Sequence, residues 1–581
     1  MKRLNIKRLR SFTILVFVIA LFSTVPVQPI AQAQTEPVGT LVPPTLVPQP
    51  DTGEGEGVVA ESGIARIVNT GRVRVGILAN LPPFGELNVR GDWNGFDADL
   101  GRAIADTWGV EVRFKQVTRQ TALDQLQRRE VDLLIAAQVH HRELDDDFEF
   151  SQTYHLGSQS VMVRAGDTEP KTLAELSGRR IGVVMTTDSE DALNRWIQRS
   201  GVPVTVERYT TLDQVYNALM NSEIDGMVAS HYQLSRLATQ PELILIIEEP
   251  LEVEPYAIAM PRQDVSLRNL INKTLQYLRQ QGRLTEIRQV HFPQSNYEVA
   301  VWGALGEEAP KPDQFPVEVS YPTQYVVPRL ESNRVLRIAM PRLPEGDNIP
   351  PSAQRLDTFY RSLLDEFARR WQVQLEYVPV DDPTQGMEAV ANGQADIAVG
   401  VEPNWDWDER VDFTEPYLLH GLRMLVPKNR NIFGFRELAG GRYIAFPLTN
   451  PEIEQFANDE AVRENVRIRT FGAREQDFAL QILEDKNADV ALADSIALLP
   501  FVEQYPDDLQ LTTEWYTEQY VVMATPRNDI DFRLLTEYTL QELARDGTLS
   551  RLLQPVMLPE DIPGFDIWPG TGNYFGFNIT G

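Results

Sequence analysis

The chain contains one segment twice, and this repetition constrains its fold more than any other feature. Residues 131–138 (VDLLIAAQ) lead through a short polar stretch into 148–154 (FEFSQTY), and residues 395–401 (ADIAVGV) lead in the same way into 411–417 (VDFTEPY). Each copy is an apolar run led by aspartate, the pattern of a buried strand in a parallel sheet. Asp132 and Asp396 lie 264 residues apart, and Phe150 and Phe413 lie 263 apart, so the spacing survives the intervening loop. Residues 96–110 (FDADLGRAIADTWGV) also align without a gap on 359–373 (FYRSLLDEFARRWQV), and 270–282 on 535–547. A correspondence this long is the duplication of a whole domain, because solenoid repeats run to about 20–45 residues.

Each half, 66–293 and 332–558, is long enough to bury its own core. In the first, 73–77 (VRVGI) reads as a strand, Pro82-Pro83-Phe84 as a turn, and 96 onward as a helix that precedes the Val131 strand. A second α/β unit opens at 173–183 (LAELSGRRIGV) and closes near 224–229 (IDGMVA). The chain then returns through 256–259 (YAIA) to an amphipathic helix over 266–281. The second half repeats this plan from 335–339, with a lobe switch near 424–427 and a return near 520–523. Alternating strands and helices with a return crossing predict an α/β fold: two tandem domains, each of two α/β lobes around a cleft where ligands bind.

The ends differ from the middle. Residues 1–10 are basic, 12–22 are apolar but short for a membrane span, and Ala31-Gln32-Ala33 is a small-residue cleavage site. Residues 1–33 therefore read as a signal peptide, which puts the mature protein outside the cytoplasm, in the periplasm or on the outer face of the cell membrane; left uncleaved, it would tether the chain. Residues 34–65 read as a Pro/Gly-rich tether, 294–331 as a linker and 559–581 as a C-terminal tail. The net charge of −29 excludes a nucleic-acid footprint, and the absence of cysteine excludes disulfides and thiolate sites. Six histidines, of which only His140-His141 are neighbours, argue against a zinc site. No metal and no cofactor are expected.

These features resemble the family 3 extracellular solute-binding proteins, of the type II periplasmic binding fold, which are amino-acid-binding components of ABC importers. The resemblance rests on Pro-Pro-Phe84, Gly95-Phe-Asp-Ala-Asp99, Val-Asp132, Phe150-Ser151 with Tyr154, 176–182 (LSGRRIG), and Asp546-Gly-Thr-Leu549. It implies two tandem domains of that fold, a small polar, amino acid-like solute as ligand, and an importer permease as partner.

An α-amino acid needs a guanidinium for its carboxylate and an acid for its ammonium. The family pattern places a Thr and an Arg nine and six residues before the Phe. In domain one these fall on His141 and Leu144, with Arg142 close by; in domain two they fall on Asn404 and Trp407, with Arg410 nearer the Phe. The family's ammonium-binding Asp falls on Ser230 in domain one and on Asp494 in domain two. Phe84 supplies an aromatic in domain one, and Trp405 and Trp407 offer a wall in domain two. Thr186 and Thr187, and Thr449 and Asn450, stand at the lobe-two helix starts, where backbone N–H groups hold anions. Each also has a structural reading: Trp405 and Trp407 as core caps, Arg410 as a partner of Asp408 or Asp412, Asp494 as a helix N-cap, His141 as a loop residue. Domain two, which keeps Asp494 and Arg410, is the half expected to bind.

The function expected is capture of small polar solutes for an ABC importer. The alternatives are a ligand-sensing or scaffolding protein with partly degenerate domains, and an enzyme on the same fold, against which no acid–base pair stands out.

Overall fold

The computed structural model describes residues 62–558, except 167–168, 241, 294–307, 318–320, 323 and 345–348. The expected signal peptide, nearly all of the tether, part of the linker and the C-terminal tail fall outside the described residues. Among the described residues no helix is long and apolar enough to cross a membrane.

Each half is two lobes, and each lobe carries one sheet. Lobe one of domain one has the order Glu111–Val117, Arg72–Leu78, Leu133–Leu134, Ala259–Pro261, Phe148–Phe150. Lobe one of domain two matches it with Gln374–Val380, Val335–Pro341, Ile397–Val401, Gln519–Pro526, Val411–Phe413. In both, the first three strands run parallel, and the fourth is the antiparallel return from lobe two. The lobe-two sheets are built around Arg180–Val184 and Arg442–Pro447, each flanked by parallel neighbours. Domain one adds a small sheet, Asn80–Leu81, Gly85–Leu87, Trp93–Asn94, around the Pro82-Pro83 cis peptide. Domain two instead begins its helix early: Pro351–Trp371 has 21 residues where Phe96–Trp108 has 13.

The repeated signatures hold the fold together. Asp132 is buried and accepts from the Arg74 backbone N–H at 2.8 Å and from its guanidinium at 2.7 Å, with Arg66 beside it. Asp396 does the same with the Arg337 N–H and guanidinium, both at 2.7 Å, and with Arg329. In the second lobes Asp225 and Asp489 accept from the N–H of Arg180 at 2.9 Å and of Tyr443 at 3.0 Å. An aspartate before the third strand thus latches it to the first in all four lobes, through charge-assisted bonds stronger than neutral ones. The repeated tryptophans are likewise structural: Trp108 donates to Thr274 at 2.8 Å and Trp371 to Thr539 at 2.9 Å. So are the hydroxyls after the repeated Phe, with Ser151 accepting from the Ile258 N–H at 2.9 Å and Thr414 from the Met523 N–H at 3.0 Å.

Helix Gly63–Thr70 and its counterpart Val326–Asn333 open the two halves, the second beginning within the segment expected to link them. Asp264 accepts from the Gly63 N–H at 2.5 Å, and Asp529 from the Val326 N–H at 2.8 Å.

The halves meet along a seam formed by lobe one of each, and the seam reads the same from either side. Arg142 Nε donates to Gln541 Oε1 at 3.0 Å, and Trp405 Nε1 to Gln276 Oε1 at 3.2 Å. Arg262 donates to Asp531 at 2.5 Å, and Arg527 to Ser266 at 2.7 Å. Arg533 is bonded to Glu149, while Arg268 lies 3.7 Å from Asp412. In each pair the partners occupy equivalent positions of the repeat with the halves exchanged. This is the isologous contact of a two-fold dimer, here made within one chain.

Candidate functional site

In domain one the cleft is lined from both lobes. Arg119 follows the edge strand Glu111–Val117 of lobe one, and Asp188 opens helix Asp188–Ser200 of lobe two; they pair at 2.5 Å across the cleft. Behind them, Gln159 donates to Glu254 at 2.9 Å, Ser189 donates to Gln159 at 2.7 Å, and Tyr256 donates to Glu254 at 2.7 Å. Burial pushes Glu254 up to about 7, with Asp188 adding to the effect, and burial raises Asp188 despite Arg119. One guanidinium and two carboxyls therefore converge where the lobes meet. Sequence reasoning missed all three, since none lies in a repeated motif; the available signal was Asp188-Ser189 directly after Thr186-Thr187 at a helix start.

Phe84 is buried beside this cluster, its ring 5.0 Å from Tyr256, 5.5 Å from His155 and 5.3 Å from Phe292. Phe84 is thus packed into the core of lobe one, where His155 also stacks on Phe292 at 4.3 Å. Burial, reinforced by Arg288, lowers His155 to about 3, so it is neutral at physiological pH. His141 is half-buried, and burial with nearby Arg195 lowers it to about 4.

Three expected site residues of domain one are engaged elsewhere. Arg142 turns to the seam, bonded to Gln541 and Glu542 and lying over the Tyr538 ring. The anion site at Thr186 and Thr187 is occupied by the chain itself: the Thr186 N–H donates to Glu190 at 2.7 Å, and the Thr187 hydroxyl donates to the Val184 carbonyl at 2.7 Å.

In domain two, Asp494 is both a cap and an ion partner. One oxygen accepts from the Ile496 N–H at 2.9 Å and caps helix Ser495–Gln504; the other meets His420 Nδ1 at 2.6 Å. Burial opposes the charge on His420, but Asp494 and Glu402 outweigh it and raise the imidazole above its ordinary value. The lobes are also joined directly. Ser352, on the extra turns of helix Pro351–Trp371, donates to Glu475 at 3.0 Å, and Arg355 reaches Glu503 at 3.0 Å. Tyr360 stands at the position of Asp97, and burial beside Asp494 raises its hydroxyl far above the ordinary phenol range. The cleft of domain two is thus acidic and bridged by its own side chains.

The remaining expected residues do not gather around Asp494. Trp405 is drawn into the seam by Gln276. Trp407 is half-buried with Arg410 stacked over it at 4.6 Å, as a core cap with an exposed cation. Thr449 and Asn450 are exposed at the end of strand Arg442–Pro447. Among the described residues no group of three His, Cys, Asp or Glu is placed to hold a metal.

This two-lobed, twice-repeated architecture matches the bacterial extracellular solute-binding proteins, family 3, over residues 73–294 and again over 352–557. The chain belongs to that family, as two type II periplasmic-binding domains in tandem. It is 26% identical over 239 residues to the ABC transporter glutamine-binding protein GlnH of Bacillus subtilis, covering 40% of this chain and 86% of that one. It is 25% identical over 228 residues to ABC transporter arginine-binding protein 1 of Escherichia coli, covering 38% and 91%. A membrane-bound lytic murein transglycosylase F of Desulfosudis oleivorans is 27% identical over 197 residues, covering 33% of this chain and 43% of that one. Among solved structures, an ancestral arginine-binding protein bound to arginine is 29% identical, covers 38% of this chain and 98% of its own, and gives a TM-score of 0.33.

Proposed function

We propose that the protein is an extracytoplasmic binding protein that captures a small amino acid-like solute in the cleft of domain one and delivers it to an ABC importer. The observation that carries this reading is the Arg119–Asp188 pair across the cleft, backed by Glu254. An α-amino acid replaces that one ion pair with two, its carboxylate taking the Arg119 fork and its ammonium taking Asp188 and Glu254. Lobe closure then buries both pairs. The role is binding rather than catalysis, and export by the N-terminal signal places it outside the cytoplasm.

A second reading is favoured for domain two alone. His420 already occupies Asp494, and Ser352 and Arg355 bridge the lobes. On this reading domain two has become a sensing or scaffolding partner to the domain that binds.

The test is a thermal-shift and calorimetric screen of the full chain against the amino acids, with Arg119→Ala and Asp494→Ala beside it. A ligand at 100 times its dissociation constant adds about 2.7 kcal/mol of stability. Binding lost in Arg119→Ala and kept in Asp494→Ala supports domain one; the reverse moves the site to domain two.

A further inference from the structure

The seam contains an internal control. Glu415 and Glu537 of domain two occupy the repeat positions of Gln152 and Asn272 in domain one. All four line one cavity of about 40 Å³ at the seam. The same cavity is lined by Phe150 with its counterpart Phe413, and by Arg268 with its counterpart Arg533. The space therefore lies on the internal two-fold, with amides on one side and carboxyls on the other.

On the amide side, the Gln152 backbone N–H donates to Asn272 Oδ1 at 2.8 Å. Side-chain amides carry donors and acceptors at any pH, whereas two carboxyls supply a donor only when one holds a proton.

The nearby cations are already taken. Arg533 is bonded to Glu537 at 2.9 and 3.0 Å and to Glu149. Arg268 is bonded to Glu149 at 3.1 Å and to Asn269 at 2.8 Å, and Arg527 to Asp412 at 2.7 Å. Asp408 is held by Asn269. In the adjoining cavity, which both glutamates also line, His140 pairs with Asp145 at 2.6 Å and Tyr538 donates to Asp145. Three guanidiniums thus face Glu149, Asp412, Glu537 and Glu415, and none is hydrogen-bonded to Glu415.

We propose that Glu415 and Glu537 form a shared-proton site facing the domain–domain seam, so that the pair holds one proton in the folded protein and stabilises the fold as the pH falls. Glu537 is buried, Glu415 is half-buried, and both line the same two cavities; two carboxyls so placed do not both ionise without repulsion. Burial raises both groups, Glu415 further through the charge of Glu537, while Arg533 and Arg268 work against the rise at both. A carboxyl raised on folding stabilises fully below its unfolded value, and that stability is lost as the pH climbs through the folded value.

The test is Glu415→Gln in the full chain, which places in domain two the amide that domain one has at Gln152. Thermal unfolding of wild type and variant is compared from pH 5 to 9, and infrared difference spectra of the two are recorded at neutral pH. The expected result is a variant whose advantage grows with pH, by up to about tenfold in the folding equilibrium per pH unit between the unfolded and folded values, and levels off above the folded value. The wild type should also show a protonated-carboxyl band that the variant lacks. A difference that does not vary with pH, a variant less stable than wild type at pH 9, or the absence of that band overturns the proposal.

Discussion

Val265 and Ile530, which stand at the same position of the two repeats 265 residues apart, pack into one apolar cluster with Leu534. A cluster that holds a residue together with its own counterpart sits on a symmetry axis, so it marks where the internal two-fold passes through the seam.

The buried charges around that axis should be expensive to disrupt singly. Arg533→Ala leaves Glu149 and Glu537 short of a cation in a buried setting, and loss of one partner of a buried pair costs about 3–5 kcal/mol. Arg268→Ala, its counterpart, should cost a similar amount. Denaturant unfolding of the full chain measures both. A loss below 1 kcal/mol in either would mean that the network is solvated.

His420 should titrate as a paired imidazole. Its folded value is raised, so its stabilising effect is complete below the ordinary value of 6.5 and fades as the pH rises through the folded value. In Asp494→Ala the His420 imidazole should titrate at lower pH, as followed by NMR. An unmoved titration would show that the 2.6 Å contact carries no charge pairing.

His155 has the opposite sign. It is neutral when folded, down to about 3, whereas the unfolded chain takes up its proton near 6.5. Unfolding is therefore promoted as the pH falls from 6.5 towards 3. His155→Phe keeps a ring against Phe292 and should blunt that acid sensitivity, which acid titration of the circular dichroism signal reads directly.

Ala137 and Gly400 form a matched pair. Both bend the chain near the end of the third strand of lobe one, Ala137 past Leu133–Leu134 and Gly400 inside Ile397–Val401, with positive φ, +45° and +70°. Left-handed backbone costs a residue with a side chain about 1–2 kcal/mol, partly offset by the extra unfolded-state freedom of glycine. Ala137→Gly should therefore stabilise domain one by about 0.5–1 kcal/mol. Gly400→Ala should destabilise domain two, since its Cβ would also meet the Tyr360 hydroxyl at 3.1 Å. Paired melting curves decide both.

The duplication, the two-lobed fold and the equivalence of Asp132 with Asp396 were legible because they depend on spacing along the chain. The candidate site was much less so. Arg142 stands close to the family's cation position, but its partners Gln541 and Glu542 are about 400 residues away, and no local pattern reveals which face of a loop another domain covers. Asp494 reads from the sequence as a helix N-cap, which it is, yet its pairing with His420 depends on strand Leu418–His420 lying beside it. Arg119 was invisible for the converse reason: it lies in a turn without a signature and becomes notable only because Asp188 faces it from the other lobe.

The seam contacts described here all lie on lobe one of each half, and each second lobe is carried by the strands that cross from its first and by the bridges across the cleft, Arg119–Asp188 in domain one and Ser352–Glu475 with Arg355–Glu503 in domain two. The two first lobes thus make a single central frame that carries both clefts. The spacing between the two clefts is therefore set by that frame, and so by the duplication rather than by any ligand.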